Sequence, residues 1–208
     1  LIGCGVLTGF GAAVNAASIR PGDTVTVIGC GSVGLAAIQG CRMAGAGEII
    51  AIDLVPAKLD LALEVGATAV LRAGTGSDGD VVDAVRRATA GRGGDVTIEC
   101  VGAQATVDQA IAMTGRGGEV VFVGAGSRDT RVNVRQFSGL VGCAKTFKGV
   151  LFGAADIQRD VIRIVDRYRA GQFELDKLVT RTYKLDEIND GLAALGSGDV
   201  VSAVVEFP

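Results

Sequence analysis

The sequence has no histidine in 208 residues. No imidazole is therefore available as acid, base or metal ligand, and chemistry that needs one must take it from outside these residues. The five cysteines (Cys4, Cys30, Cys41, Cys100 and Cys143) form no Cys-x-x-Cys pair. Their scatter argues against a disulfide framework and suits a reducing, cytoplasmic setting. No apolar run approaches the length that crosses a bilayer, and no signal-peptide pattern opens the chain. A dominant charge is missing too. Twenty basic and 23 acidic residues are interspersed for a net charge of −3, without a basic stripe for nucleic acid or a charged tail. The first residue is Leu1, not Met, inside an ordered-looking Leu-Ile-Gly-Cys-Gly-Val. The expectation is a chain that begins within a longer protein.

What is present is apolar mass and glycine. Apolar residues make up 49% of the chain, enough for a sizeable core in one large domain or a domain with an appendage. The 32 glycines sit at the ends of apolar runs and not in a repeat or a linker. The informative stretch begins at Thr24. Five β-branched residues lead into Gly29-x-Gly31-x-x-Gly34, and a helical run starts near Ser32, with Val33, Ala36, Ala37 and Met43 on one side. Strand, glycine turn and helix together are the context that gives this pattern meaning as a dinucleotide fingerprint. Gly29 suits a sharp turn, Gly31 lets a pyrophosphate approach the main chain, and Gly34 lets the helix pack on the strand. The helix start offers unpaired N–H groups and partial positive charge to an anion. The run Glu48-Ile-Ile-Ala-Ile-Asp53 then reads as a buried strand ending in an acid, nineteen residues beyond Gly34. An acid there accepts hydrogen bonds from an adenosine ribose and repels a 2′-phosphate, favouring NAD over NADP. The bland alternative is an ordinary βα turn with Asp53 capping the helix near Pro56.

Along the chain, the spacing predicts a glycine-studded turn over 3–9 and a helix over 8–18. Pro21-Gly22-Asp23 launches the first strand. A helix over 56–65 ends at Gly66 and is followed by a strand over 68–71. Residues 73–80 read as a polar, flexible loop in which Asp78 or Asp80 caps a helix running to about residue 90. Two similar turns, Gly91-Arg-Gly-Gly and Gly115-Arg-Gly-Gly, each precede an apolar strand, over 96–101 and 120–123, with glycines at their exits. The alternating segment 131–135 suggests an edge strand. A strand over 146–152, an amphipathic helix over 156–170, a helix over 185–195 and a strand over 200–207 complete the reading. Strands alternating with helices give an α/β fold with a parallel sheet.

At Gly3-Cys4-Gly5-Val6-Leu7-Thr8-Gly9 the chain resembles a known family. Together with Gly29–Gly34, Asp53, Glu64-Val-Gly-Ala67, Glu99-Cys-Val-Gly102 and Lys148-Gly-Val-Leu-Phe-Gly153, it looks like the zinc-dependent medium-chain alcohol dehydrogenases. The look is most like the branch of thiol-linked formaldehyde dehydrogenases, and it runs from Leu1 to Phe207. The resemblance implies an α/β doubly wound Rossmann fold, a six-stranded parallel sheet with helices on both faces. It implies residues 1–19 as a linking helix, 20–152 as the NAD-binding domain and 153–208 as a segment returning toward a GroES-like catalytic domain that is not in this sequence. It further implies a homodimer or homotetramer, built through the region between Phe122 and Phe137, where the strand over 120–123 and the segment 131–135 are expected near a sheet edge.

Residue by residue, the resemblance gives Cys4 the place of a catalytic zinc ligand, with zinc held only in the presence of the other domain. The other four cysteines are read as buried free thiols. Thr8 matches a catalytic-site residue packing on the nicotinamide, and Val33 one packing behind it. Gly29, Gly31, Ser32 and Gly34 form the pyrophosphate turn. Asp53 and Lys58 match ribose contacts, with a solvated helix face as the alternative for Lys58. Val101 falls on the adenosine side. Val123, Ala125, Val150 and Phe152 match positions whose main chain holds the carboxamide and nicotinamide ribose, with core packing as the alternative. Ser202 stands where many relatives carry a pyrophosphate-binding arginine. The implied function is hydride transfer between an alcohol, or an aldehyde or its thiol adduct, and NAD, with these 208 residues inactive on their own. A zinc-free quinone or enoyl reductase of the same superfamily and a non-catalytic nucleotide-binding module are the rivals, and Cys4 and Asp53 argue against the first of them.

Overall fold

The computed structural model describes residues 1–74, 80–198 and 200–207. Six parallel strands form the main sheet: β1 (Thr24–Ile28), β2 (Glu48–Asp53), β3 (Ala69–Arg72), β4 (Gly94–Glu99), β5 (Thr114–Phe122) and β6 (Thr146–Gly149). Their order is β3-β2-β1-β4-β5-β6. The chain winds outward from β1 to β3, then crosses back to lay β4 on the other side of β1. The β1/β4 border is thus the switch point above which open α/β sheets bind ligands. The interior strands are runs of Val, Ile and Thr because both their faces are covered. All five residues of β1 are buried, whereas edge strand β3 has none buried.

Strand alternation sorts the apolar side chains into two cores. On one face, Val25, Val27, Val96, Ile98 and Val121 meet Leu35 and Ile38 of α2 (Ser32–Ala44), Leu59 of α3 (Pro56–Glu64), and Leu7 and Phe10 of the first helix. On the other face, Ile28, Ile50, Ile52 and Val120 meet Val81, Val82 and Val85 of α4 (Val81–Ala88) and Ala110 and Met113 of α5 (Gln104–Met113). The doubly wound architecture expected from the sequence is therefore present, with helices on both faces. Among the described residues, no helix is long and apolar enough to cross a membrane.

Several boundaries differ from the expectation. The glycine-studded segment over 3–9 is helical. One continuous run covers residues 2–16, in which wide-turned segments Ile2–Val6 and Ala12–Ala16 flank α1 (Leu7–Gly11). Packing overrides the low helix propensity of its glycines, because Gly5, Gly9 and Gly11 lie where side chains would clash with α2 and with residue 153. Strand β4 stops at Glu99, not 101, because the Glu99 carboxylate takes up the amides of Val101 and Gly102. Strand β5 begins at Thr114, so Gly115-Arg-Gly-Gly lies within the strand beside a register shift and is not a turn. Strand β6 ends at Gly149, and α4 ends at Ala88. The segment 131–135 is not a strand. It lies outside the sheet, and Gln104 takes both main-chain groups of Arg131, at 2.8 and 2.9 Å. Strand β5 is the last but one in the sheet, near an edge as expected, but β6 pairs with its outer side, so β5 is not itself an open edge. Of the loop expected over 73–80, residues 75–79 lie outside the described residues, including Asp78 as a cap. Asp80 does cap α4, accepting the Val82 amide at 3.0 Å.

The last quarter of the chain forms α6 (Ile157–Arg169) and a small βαβ unit. In that unit β7 (Arg181–Lys184) and β8 (Ala203–Glu206) pair in parallel, linked through α7 (Ile188–Ser197). Strand β7 went unseen in the sequence because only Tyr183 of its four residues is buried. The final strand is shorter than the expected 200–207. Helix α6 is tied to the first helix by Asp160, whose fully buried carboxylate accepts from Asn15 at 2.9 Å, Arg163 at 2.9 Å, Arg159 at 3.0 Å and the Asp156 amide at 3.0 Å. The Arg159 guanidinium, opposed by burial and helped by Arg163 and Asn15, holds this carboxyl far below the usual range.

Candidate dinucleotide-binding cleft

The cleft lies above the carboxyl ends of β1, β2 and β4. Gly29 follows β1 with φ +90°, a conformation that side chains resist, and a Cβ there would also lie 2.6 Å from a Val101 methyl. Gly34 sits against the same turn, where a Cβ would fall 1.7 Å from the Gly29 carbonyl oxygen. At Gly31, by contrast, a Cβ would meet nothing within 4 Å. Two glycines thus close the βα turn and the third leaves its outer side open. Gly31 is also the N-cap of α2, and no side chain caps that helix. The first-turn amides of α2, those of Ser32 and Val33 among them, therefore carry no side-chain cap and have the helix dipole behind them. These are the features of an anion cradle.

Asp53 closes one side of it. The carboxylate accepts the Cys30 amide of the glycine turn at 2.6 Å through Oδ2 and the Val55 amide at 2.9 Å through Oδ1. The acid at the end of β2 is thereby fixed to the turn after β1. Each oxygen keeps a lone pair for a further donor. Lys58 is half-buried on α3 near the carboxyl end of α7, its Nζ 3.9 Å from where a Cβ on Gly198 would lie. The opposite wall is Val101, exposed and resting over Gly29.

The first helix brings the remaining residues in. A Cβ on Gly5 would lie 2.7 Å from the Ser32 hydroxyl, and one on Gly9 would lie 2.0 Å from the Val33 carbonyl. This near-contact of backbones sets exposed Cys4 and half-buried Thr8 beside the first turn of α2. The turn after β6 reaches the same place, for a Cβ on Gly153 would lie 2.6 Å from the Thr8 carbonyl. Phe152 and Ala154, on either side, both hold positive φ. That geometry is strained for residues with a Cβ and persists only where packing enforces it. Phe152 is 45% exposed, next to the Gly153 that meets the Thr8 carbonyl. Val123 and Val150 are half-buried and pack against the first core, and Ala125 is exposed. The amides of Val123 and Val150 are taken by the carbonyls of Glu99 and Phe122, both at 2.9 Å. Ser202 is buried, and its carbonyl accepts the Thr180 amide at 3.2 Å.

Sequence reading treated Glu99 only as part of a motif. It is fully buried directly under the cleft. A lone acid closing an apolar strand, two residues before a half-exposed turn, was the available signal. The thiols divide in a way the sequence did not show. Cys30 and Cys41 are buried, but Cys100 and Cys143 are only half-buried. Burial first, and then the Asp53 charge, push the Cys30 thiol up to about 12. Burial likewise raises Cys41 and Cys100 far above an ordinary thiol, so none of the three is disposed to ionise and ligate a metal.

Sheet order, glycine turn, uncapped helix and strand-end acid together define a dinucleotide-binding domain of the doubly wound class. The model of the zinc-binding dehydrogenases matches residues 32–167, and the chain belongs to that family. It is 38% identical over 208 residues to the NDMA-dependent alcohol dehydrogenase of Amycolatopsis methanolica, covering 99% of this chain and 55% of the relative. An alcohol dehydrogenase zinc-binding domain protein from Burkholderia ambifaria superposes with a TM-score of 0.92 at 35% identity, over 100% of this chain and 54% of the other. A structure from Sinorhizobium meliloti 1021 bound to NADP superposes with a TM-score of 0.84 at 30% identity, over 97% of this chain and 57% of the other. The chain thus spans about half the length of the relatives it matches, and that half is their nucleotide-binding domain.

The residues described do not by themselves suit the zinc of the family name. Catalytic zinc takes about three protein ligands and an open position. Cys4 is the one candidate, and no group of three His, Cys, Asp or Glu able to hold a metal occurs among the described residues. No step through zinc is derived from this chain.

Proposed function

We propose that this chain is the coenzyme-binding half of an NAD-dependent alcohol dehydrogenase. The observation that carries the reading is Asp53, a carboxylate at the end of β2 tied to the glycine turn through the Cys30 amide. A dinucleotide laid across this cleft has its pyrophosphate at the first-turn amides of α2 and its adenosine ribose at Asp53, which accepts from two vicinal hydroxyls and rejects a 2′-phosphate. Lys58, in the first turn of α3 beyond Asp53, is assigned a second contact to that ribose, and Val101 the adenosine side. Thr8, Val33, Val123, Ala125, Val150 and Phe152 border the end at which the nicotinamide lies. The nicotinamide, when bound, supplies the hydride acceptor. The chain's own part is to hold it in one geometry and to exclude water from its inner face.

An alcohol or aldehyde is the substrate class, and zinc enters through Cys4 only with ligands from outside these residues. Residues 1–19, 20–152 and 153–208 then act as link, cofactor domain and returning segment, in a cytoplasmic homodimer or homotetramer. Isothermal titration of the chain with NAD and NADP tests the cofactor reading, and metal analysis on the same sample tests the zinc reading. Expected are NAD binding, markedly weaker NADP binding, and no stoichiometric zinc or alcohol oxidation. Absence of NAD binding, or equal affinity for the two nucleotides, overturns the first. One retained zinc per chain, or turnover, overturns the second.

A further inference from the structure

Glu99 lies beneath the cleft and is engaged with both loops that form the wall. One carboxylate oxygen, Oε1, takes three hydrogen bonds: the Val101 amide at 2.8 Å, the Gly102 amide at 2.7 Å and the Thr106 hydroxyl at 2.8 Å. The other, Oε2, is buried without a partner among the described residues. The Glu99 carbonyl meanwhile accepts the amides of Val123 at 2.9 Å and Gly124 at 3.0 Å. One residue therefore binds the turn after β4, the first turn of α5 and the exit of β5.

These two loops are also in backbone contact. A Cβ on Gly124 would lie 2.2 Å from the Gly102 amide nitrogen, and one on Gly126 would lie 1.9 Å from the Gly102 carbonyl oxygen. Thr130 closes the contact by donating to that carbonyl at 3.2 Å. Val101, the residue resting over Gly29, is thus placed by its own amide's bond to Glu99. A fully buried carboxylate is an expensive way to hold a turn, since removing its charge from bulk solvent costs more than burying a neutral group. A turn needing only stability is held as well by a neutral side chain.

We infer that Glu99 is a positioning residue for the nucleotide: it fixes Val101 and the 123–126 loop as one rigid wall, so that the cleft is preformed in the free protein. The inference rests on the dinucleotide reading above. In Glu99→Gln the amide oxygen keeps the three donors, but the bonds lose their charge assistance and an NH2 group occupies the partnerless Oε2 position. Thr106→Val is the milder second variant and removes one of the three donors. NAD affinity is measured by titration on fully folded protein, at a temperature well below each variant's own melting point, alongside urea denaturation. Loss of support behind a binding group typically costs on the order of tenfold or more in affinity. The expected result is a rise in Kd of about tenfold for Glu99→Gln and a smaller rise for Thr106→Val. A purely structural role lowers the melting point and leaves the Kd of the folded protein unchanged, and that result overturns the inference. Should Glu99→Gln fail to fold, an unchanged Kd in Thr106→Val overturns it equally. Failure of the unmodified chain to bind NAD is a separate outcome and strikes the cofactor reading itself.

Discussion

Replacing Asp53 with asparagine tests the cleft at its most informative atom pair. The substitution removes one charge and conserves shape, yet it is not conservative here. Both carboxylate oxygens accept a main-chain amide, from Cys30 at 2.6 Å and from Val55 at 2.9 Å. An asparagine has one acceptor oxygen, so one amide must face an NH2 group or find water. Leaving such a donor unpaired costs about 1–3 kcal/mol, drawn from the turn that shapes the pyrophosphate site. The charge itself sets discrimination. Two unit charges about 4 Å apart interact by about 4 kcal/mol at an effective dielectric of 20, and solvent at a half-buried carboxylate reduces this to about 1–2 kcal/mol. A 2′-phosphate also forfeits a charge-assisted hydrogen bond of about 1.5 kcal/mol. Together these give a preference for NAD over NADP of about a hundredfold, since each 1.4 kcal/mol is a factor of about ten. In Asp53→Asn the preference is expected to shrink to within about tenfold, chiefly through weaker NAD binding. The chain has no tryptophan, so the fluorescence of the reduced nucleotides can be followed without that background, with calorimetry for the oxidised forms. An unchanged ratio of affinities in Asp53→Asn refutes the assignment.

Further outcomes are expected elsewhere in the fold. Asp160→Asn is expected to destabilise the fold by about 1–2 kcal/mol at neutral pH, a figure discounted for the exposure of Arg159 and Arg163. Because the Asp160 carboxyl is held low in the folded chain, its contribution is complete above the unfolded value of about 4 and is lost as pH falls from there toward the folded value. The variant and the unmodified chain should therefore converge in urea midpoint below pH about 4, and a constant gap down to pH 2 contradicts this. In solution, light scattering at micromolar concentration should give at least twice the mass of one 21.0 kDa chain. The outer strand on the β5 side of the sheet is β6, not the segment 131–135, so proline at a β6 position should weaken self-association. A single-chain mass removes the oligomer from the proposal.

Local chemistry settled a great deal here. The run of β-branched residues before Gly29, the three glycines, and the acid closing Glu48–Asp53 each impose a conformation or an electrostatic preference on their own neighbourhood. They are readable one residue at a time, and the alternation of strands with helices follows from hydrophobic period. The order of the strands was another matter, because the switch point between β1 and β4 arises from crossovers that only the assembled sheet displays. Tertiary contact turned Gly3–Gly9 from an expected turn into helix, since Gly5 and Gly9 let this helix approach α2 closely and Gly11 lets it meet the turn at residue 153. It also removed the expected edge strand over 131–135, where Gln104 supplies the partners that a sheet would have. The strain at Phe152 and Ala154 and the triple engagement of Glu99 depend on groups far apart in sequence. A carboxylate's role is set by which donors converge on it, and that convergence exists only once the loops after β4 and β5 have come together.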